Sequence, residues 1–596
     1  MKKYIIVLNL LVVLAISGCK KFLDEKSETS FTTSTLFDTP EGLEKMVIAL
    51  YPYERSFTGK GINSIPAAII WGERTTDLNV FLTGDDANLS RFTSPGPGSN
   101  IDNDIYSQYW SHRYYLIGRT NEIIHYGKRL GDATKSTVAE ASFWRAYCYY
   151  GLWSRFSRLY LSTEPVTKDN LNDQQYKPAD SAGVFKLMYD DLDVAIEGLP
   201  LQVSANNEGR VSKSAARHLK ALVAAWAKDW NEVAAQVDEV DKDNTHSLVS
   251  DPANIFNRSD LYNGPETLFA LRFSMERGGG SGHRVGSQFV NQAYTNQYTW
   301  QKINGIQVQY NTENLGRNWG LSFANSYLIS LYGNTDKRLS AYFKTKYTYQ
   351  NPDLLITIPV SQTKTDHGIS YNSTFNFTSN PVQIKIGDTI FGRDVFAATA
   401  KKIDRRALLP SSLKMVDLWS KPMDADGGTS GYKDIMIYRL AETFLLGAEA
   451  YMHLGNQNKA SYYYNKTWER AGNPKETSVI TFDMIRDEQA RELSFEGRRW
   501  DFLKRNGIWY EQMRKYAGDF TKYPGANVGY NVGSYGTTDG RDVNFGPNPN
   551  YYADFNGSDN DVMVRFNVKP IHVNWPIPQS QIDAMGPANF PQTNGY

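Results

Sequence analysis

The sequence predicts a mainly α fold: a tetratricopeptide-like helical array with a large loop-rich insertion containing short β-strands. Three observations predict it. Apolar and aromatic residues recur at helical spacing through residues 101–245, as in Ala141, Trp144, Cys148 and Leu152. A helix–turn–helix plan with small residues at contact positions occurs early and returns within residues 433–505. Between residues 250 and 430 that periodicity gives way to Gly, Asn, Thr, Tyr and Ser with only brief alternating runs.

In chain order, Thr39-Pro40-Glu41-Gly42 starts a helix that continues with apolar residues at helical spacing from Leu43 to Tyr51. Residues 62–100 have no sustained period and are expected to be long loops. Tyr106, Trp110, Tyr114, Ile117 and Ile124 mark one helix, and the stripe from Ala141 to Leu159 the next. Residues 184–199 form an amphipathic helix ended by Pro200. Residues 212–228 and 230–240 form a helix pair in which Ala215, Ala221, Ala224 and Ala225 permit close approach. Residues 435–454 are expected as one helix, Gly455-Asn456-Gln457 as a turn, and 458–471 as the partner helix. Leu445, Ala448, Tyr451, Gly455, Ala460 and Tyr464 give this pair the tetratricopeptide pattern of small and large residues. Such a hairpin exposes apolar faces that need a stacked neighbour. In the insertion, 357–360 and 382–386 read as short strands, and the segment 518–596 is again loop-rich.

The 596 residues carry 64 Lys+Arg against 64 Asp+Glu, with basic and acidic residues interspersed, so no net field selects nucleic acid. Aromatics reach 13%, with 38 Tyr and 13 Trp, which implies rings on a surface as well as in a core. The two cysteines, Cys19 and Cys148, are too few for a disulfide framework.

Lys2 and Lys3 precede an apolar run from Ile5 to Ile16 that is too short to span a bilayer and fits a secretory signal. The run closes with Ile16-Ser17-Gly18-Cys19, which resembles a bacterial lipoprotein processing site. That resemblance implies a signal peptide over 1–18, acylation of Cys19, a polar flexible tether over 19–35 and a membrane anchor made of lipid. Residues 36–596 are expected to form a single domain. Cys148, set among Ala146, Tyr147, Tyr149 and Tyr150, reads as packing.

The most informative stretch is 484–505. Glu488, Glu492 and Glu496 stand at i, i+4 and i+8, so a helix stopped at Gly497 places them on one face. Like charges at that spacing repel. Asp487 with Arg491 and Glu496 with Arg499 offer partial local compensation, and the remaining cations must come from another packed segment. A glycosidase needs one carboxyl on each side of a scissile bond, which one helix stripe does not supply.

The run Glu492-Leu493-Ser494-Phe495-Glu496-Gly497-Arg498-Arg499-Trp500-Asp501-Phe502-Leu503 resembles the signature of the SusD/RagB family of Bacteroidetes nutrient-binding lipoproteins. Phe502 stands where that signature carries aspartate, and Asp501 lies one position earlier. The ending Pro576-Ile577-Pro578-Gln579-Ser580-Gln581-Ile582-Asp583, then Asn594-Gly595-Tyr596, is similar to the family's C-terminus without its last proline. Further matching marks are Trp110 with Tyr114-Tyr115, Ala141 with Phe143 and Arg145-Ala146, Asp191-Leu192 to Leu199-Pro200, and Arg439 to Ala450. The resemblance implies a SusD-like fold and a surface lipoprotein of the outer membrane. It further implies non-catalytic capture of a nutrient and a SusC-type TonB-dependent transporter as partner. An oligosaccharide is the leading ligand, a peptide the alternative and surface glycoside hydrolysis a distant third.

Catalytic signatures are missing from the sequence. The eight histidines include no His-Glu-x-x-His, no Gly-x-Ser-x-Gly elbow stands between strand and helix, and Gly278–Gly282 lacks the Lys-Ser/Thr of a phosphate loop. No cofactor is expected. The turns 424–427 and 556–561 could donate oxygens to a structural calcium, although neither has a full calcium-binding loop. A sugar site needs aromatic plates flanked by hydrogen-bonding side chains. Two loop stretches supply them: Trp71 with Arg74, Asp77 and Asn79, and Tyr298 and Trp300 with Arg317, Asn318 and Trp319 between Gly316 and Gly320. Trp300 and Trp319 are the expected platform, with Arg74, Asp77 and Asn318 as its polar partners. The resemblance also places a Gly- and Trp-containing loop just before a helix starting near Ser322.

Overall fold

A computed structural model describes residues 33–60, 75–81, 104–171, 176–203, 208–274, 301–303, 306–308, 322–344, 346–348, 356–358, 382–384, 389–391, 411–416, 431–517, 532–534, 544–546 and 568–596. A short helix, α1 (Thr33–Phe37), leads into α2 (Pro40–Lys60). Strand β1 (Asn79–Phe81) follows, then α3 (Asp104–Leu130), α4 (Lys135–Arg155), α5 (Ser181–Gly198), α6 (Lys213–Ala227) and α7 (Trp230–Asp243). Each of α3 to α6 packs on its successor. Starts and stops follow local chemistry. Asp180, Ser212 and Asp229 cap their helices by accepting from Gly183, Ala215 and Glu232 backbone N–H. Lys228 (φ 60°) and Asn244 (φ 50°) end α6 and α7 in the left-handed region.

The chain then enters β2 (Thr267–Leu271), and a set of two-stranded ladders follows. They are β3 (Gln301–Ile303) with β4 (Ile306–Val308), and β5 (Ser322–Ala324) with β1. After β5 come α8 (Ser326–Ser330) and α9 (Arg338–Tyr342). Next are β6 (Phe343–Lys344), β7 (Lys346–Thr348), β8 (Ile356–Ile358), β9 (Val382–Ile384), β10 (Thr389–Phe391) and β11 (Ser411–Ser412). The two runs expected as strands, near 357 and 382, pair with each other as β8 and β9. Residues 322–324, expected to open a helix, form β5, and the helix starts at Ser326 behind its Asn325 cap.

The late hairpin carries one correction. Residues 435–439 are a strand, β12 (Ile435–Arg439), paired antiparallel with β2, and the helix α10 begins only at Leu440 (Leu440–His453). Ile435, Ile437 and Tyr438 suit a strand buried on both faces, and all of β12 and β2 is buried. The ladder closes the root of the insertion, since β2 leads into it and β12 leads out. α11 (Gln457–Arg470) completes the hairpin after a turn at Gly455 (φ 72°). α10 packs on α7, which joins the late hairpin to the early array. Gly447 makes that contact close: a Cβ there would lie 2.7 Å from Val237 and 3.0 Å from the Tyr463 ring. α12 (Phe482–Leu493), α13 (Arg499–Arg505) and α14 (Trp509–Tyr516) follow, then β13 (Val532–Ser534), β14 (Asn544–Gly546) and α15 (Gln579–Met585). α12 ends at Leu493, four residues before Gly497. Phe495 takes a left-handed φ of 63°, held by full burial and an edge contact with Phe343.

One apolar cluster runs through these elements, from Val47 and Trp144 through Val237 and Phe444 to Trp500, Trp575 and Phe590. Cys148 lies inside it with its thiol pushed up to about 12 by burial, which keeps it unreactive. Among the described residues, no helix is long and apolar enough to cross a membrane.

Candidate functional site

Glu488 and Glu492 of α12, and Glu496 three residues past its end, are buried and paired. Glu488 and Glu492 are unexposed and Glu496 is 6% exposed. Arg338 of α9 donates to Glu488 (2.6 Å), Glu492 (2.9 Å) and Asp336 (2.9 and 2.7 Å). Arg439 at the end of β12 donates to Glu492 (2.7 Å), Glu496 (2.6 Å) and Glu266 (2.6 Å). Arg470 of α11 also pairs with Glu492, and Lys414 Nζ donates to Glu496 at 2.6 Å. Arg491 takes Glu488 rather than Asp487, which pairs with Arg486 instead. Burial alone would raise the Glu492 carboxyl, but the charges of Arg470, Arg439, Arg338 and Lys414 hold it well below the usual carboxylate range. Burial pushes the Lys414 ammonium down to about 8 against the pull of Glu496. These carboxylates are committed to ion pairs. They tie pieces of the insertion (Arg338, Lys414) and of the late hairpin (Arg439, Arg470) to one helix.

Glu496 makes no use of Arg499. Arg499 turns to Asp77, giving Nε to Oδ1 at 2.8 Å and Nη2 to Oδ2 at 2.7 Å, with both side chains unexposed. Its Nη1 donates to Arg486 O (2.8 Å) and Gln489 Oε1 (2.7 Å), so four of the five guanidinium N–H groups are engaged. Asn79 is likewise 0% exposed and donates to Thr76 Oγ1 at 3.3 Å. Asp77 and Asn79 were expected as ligand contacts. The structure places both inside, where Asp77 is committed to Arg499 and Asn79 to the turn that begins β1.

β1 pairs antiparallel with β5: Asn79 faces Ala324, Val80 faces Phe323 and Phe81 faces Ser322. Asn325, directly after β5, donates through Nδ2 to Asp77 O (2.6 Å) and Tyr516 O (2.8 Å), and its backbone N–H bonds Leu78 O (2.9 Å). Trp509 Nε1 donates to Thr75 O at 3.0 Å. Tyr327 stacks on Tyr516 with centroids 3.7 Å apart. Asn79–Phe81 and Ser322–Ala324, which flank the stretches chosen from the sequence, are joined at one ladder. Trp71, Arg74, Tyr298, Trp300, Arg317, Asn318 and Trp319 lie outside the described residues, as do Cys19 and the turns 424–427 and 556–561. Among the described residues, no three His, Cys, Asp or Glu side chains converge as a metal site.

A cavity of 20 Å³ opens between α6, α10, α12 and α13, with room for about one water molecule. Its lining carboxylates are all paired: Glu442 with Arg498 and His218, Glu449 with Arg505, and Asp501 with Arg155. Asp501, adjacent to the departure from the family signature, thus holds α13 against the end of α4. Sequence reading missed Asn325, Arg338, Lys414 and Arg470. Asn325 had a local signal, an Asn just before the apolar run Tyr327-Leu328-Ile329, and it does cap α8 by accepting from Leu328 N–H.

Comparison with known proteins agrees with this architecture. Residues 265–596 match the model of the SusD family, and residues 21–223 match a second model described as starch-binding, associating with outer membrane. SusD-like protein P25 of Formosa agariphila is 20% identical over 536 residues, covering 86% of this chain and 90% of that protein. The structure of a SusD homolog from Bacteroides thetaiotaomicron superposes with a TM-score of 0.65 at 18% identity, covering 95% of this chain and 99% of the other. Surface glycan-binding protein A from Bacteroides thetaiotaomicron in complex with laminarihexaose superposes at 0.58 with 16% identity, covering 93% and 99%. With its helical array, its buried Glu492–Arg499 signature and a family match over more than half its length, this chain belongs to the SusD/RagB family.

Proposed function

We propose that this protein binds an oligosaccharide without turning it over and passes it to a SusC-type TonB-dependent transporter. Acyl chains on Cys19 would hold it at the outer-membrane surface. The observation that supports this reading is the SusD family match, and the sequence supplies aromatic-bearing loop stretches suited to a sugar. Trp319 stands three residues before Ser322 and Trp71 four before Thr75. Loops rooted on a rigid frame are where binding residues concentrate. The carboxylate stripe is locked in ion pairs and offers no acid–base pair. The laminarihexaose complex of a protein with this fold supports a glycan as the ligand class.

The test is a binding screen of oligosaccharides and peptides on protein starting at Lys21, with product analysis of each mixture. Saturable sugar binding without cleavage is the expected result. Binding of peptides alone would move the ligand class, and release of shortened sugars would make the protein a glycoside hydrolase.

A further inference from the structure

Four glycines of the helices are demanded by their neighbours. A Cβ at Gly127 would lie 2.5 Å from Val138, at Gly151 2.7 Å from Tyr109 Oη, at Gly198 2.6 Å from Ala139 and at Gly447 2.7 Å from Val237. Gly118, in the middle of α3, is different. A Cβ there would meet nothing within 4 Å among the described residues, and the backbone is ordinary helix. Glycine in a helix interior is less stable than alanine, so the fold of this chain gives no reason for it. The open place lies on an apolar face shared by α2 and α3. Ring contacts set the register of these two helices. Phe57 stacks on His112 with centroids 3.9 Å apart, Tyr53 stacks on His112 at 4.7 Å, and Tyr53 meets Tyr115 at 4.4 Å. The helices run antiparallel, so about one turn beyond that pair Ala49 comes opposite Gly118. Around them Ile48, Tyr53 and Tyr115 are 48%, 39% and 46% exposed, and Ala49 and Pro52 are exposed as well. The rings are held from beneath. His112 Nε2 lies 2.8 Å from Glu54 Oε2, and the unexposed Glu54 carboxylate also accepts from Arg113 at 2.8 Å. Aromatic rings fixed in this way offer contact area at little further loss of freedom.

We infer that this α2–α3 face docks an apolar side chain carried by the extracellular loops of the transporter, with Tyr53 and Tyr115 as anchors and Gly118 as the place that side chain enters. The inference rests on the reading that acylated Cys19 holds the protein at the outer membrane with that transporter. The length of chain before α1 ties the face to the membrane side. Cys19 and Thr33 are 14 residues apart, a reach of at most about 50 Å. α1 is fastened to α3, since Phe37 stacks on Tyr126 at 4.5 Å and Asp38 just after it pairs with Arg129. Gly118 stands eight residues along α3 from Tyr126, about 12 Å. A partner that meets this face is therefore itself within reach of the bilayer, and outer-membrane barrels carry long loops on their extracellular side. Charge separates such a partner from lipid. Arg119 at the rim is paired with Glu122 at 3.0 Å and lies 5.3 Å from the Tyr115 ring, so its charge is engaged within the protein and not offered to anionic headgroups.

The experiment uses the full chain, extracted in mild detergent from the outer membranes that hold it. TonB-dependent transporter that co-purifies is identified by peptide mass and measured per mole of this protein. Gly118→Trp fills the open place without a clash inside the chain. It is expected to keep its unfolding midpoint and to retain roughly tenfold less transporter. Gly118→Ala adds only a methyl group and is expected to raise the midpoint and to lose little transporter. The photoreactive residue p-benzoyl-phenylalanine in place of Ile48 or Ser111, both exposed on this face, is expected to cross-link to the transporter. In place of Val479, which is 65% exposed beside the late hairpin, it is expected to give no such product. Undiminished transporter with Gly118→Trp overturns the inference. So do cross-links from 48 and 111 that join two copies of this chain, or that reach lipid alone, and so does a transporter cross-link from 479 only. A wild type that retains no transporter counts against the proposed function and removes the inference with it. A wild type that retains it equally well with Gly118→Trp removes only the inference. If Gly118→Trp does not fold, Tyr115→Ala, which removes an exposed ring, is read in the same way.

Discussion

Arg499 holds the Asp77 carboxylate through two parallel hydrogen bonds, 2.8 and 2.7 Å long, and neither side chain is exposed. The residues are far apart in sequence, so the pair clamps the segment before β1 to the family's signature helix. Burial would lower the Arg499 pKa, but Asp77 outweighs it and the guanidinium stays charged. Breaking a buried pair strands a charge, which costs about 3–5 kcal/mol. Arg499→Ala is expected to lose that much in urea unfolding. Asp77→Asn strands the Arg499 charge and sets an amide N–H₂ against the guanidinium, so it is expected to lose about as much. Arg499→Lys cannot reproduce the fork and is expected to fall between wild type and Arg499→Ala. Equal stabilities across the series would show that the clamp carries no load.

Glu492 receives Arg338, Arg439 and Arg470. Glu492→Ala leaves these arginines with less anion than cation in a dry site and is expected to cost at least about 3 kcal/mol. The pH dependence has a definite sign. The folded-state pKa of Glu492 is depressed, so its contribution is present above the ordinary carboxylate range and is lost as pH falls through the depressed value. Wild type and Glu492→Ala should therefore converge in stability on acidification. A variant of unchanged stability that loses a hydrolytic activity would instead make Glu492 catalytic.

Asp434 has the opposite sign. It sits just before β12, where its carboxylate accepts from Phe273 N–H (2.9 Å) and Tyr262 N–H (3.1 Å). Burial raises its pKa to about 6, with those two N–H groups and Arg272 opposing and Asp260 adding. A raised folded pKa means that its contribution is complete below the unfolded value and is lost as pH rises through about 6. The span between the two corresponds to roughly 2–3 kcal/mol. Asp434→Asn should be less stable than wild type near pH 5, and the gap should narrow near pH 7.5. Parallel stability curves from pH 4.5 to 8 would show that Asp434 does not titrate in this window.

The helices and the need for cations on the glutamate stripe were legible in the sequence, because both follow from spacing along one element. Which cations answer was not. Arg338, Arg439 and Arg470 are brought to Glu492 by tertiary packing of segments that no periodicity links to it. The same limit misread Asp77 and Asn79. A polar residue beside Trp71 in a stretch without period looks like a ligand contact until Arg499 is seen to occupy it. Residues 435–439 were read as helix because their apolar run continues into α10. Only the partner strand β2 decides otherwise, and a short buried run cannot show its partner.

The proposed anchoring would depend on a single atom, the Cys19 sulfur. Acylation needs that thiol, and more than one acyl chain is needed for a stable hold on a bilayer. Cys19→Ser is expected to leave the protein unprocessed or released from membranes, as read by fractionation and by the mass of the N-terminal peptide. Wild-type processing and membrane association in Cys19→Ser would remove the lipid anchor from this account.

The sugar platform is the most exposed of these proposals to a direct test. Trp300 directly precedes β3 and Trp319 stands three residues before β5, so both leave from short ladders within the insertion. Gly316 and Gly320 bracket Trp319, a pattern that no helical stripe explains. A pyranose presents an apolar C–H face, and stacking that face on an aromatic ring is worth on the order of 1 kcal/mol. Losing both rings should therefore weaken binding roughly tenfold or more. The Trp300→Ala/Trp319→Ala double variant is expected to keep its unfolding midpoint if the two rings serve the ligand and not the core. Titration with the sugar found in the screen is expected to show the loss in Kd with unchanged stoichiometry. Arg74→Ala and Asn318→Ala should each show a smaller loss, since each removes hydrogen bonds to hydroxyls worth about 1 kcal/mol net. Undiminished affinity in a correctly folded double variant places the sugar elsewhere on the protein.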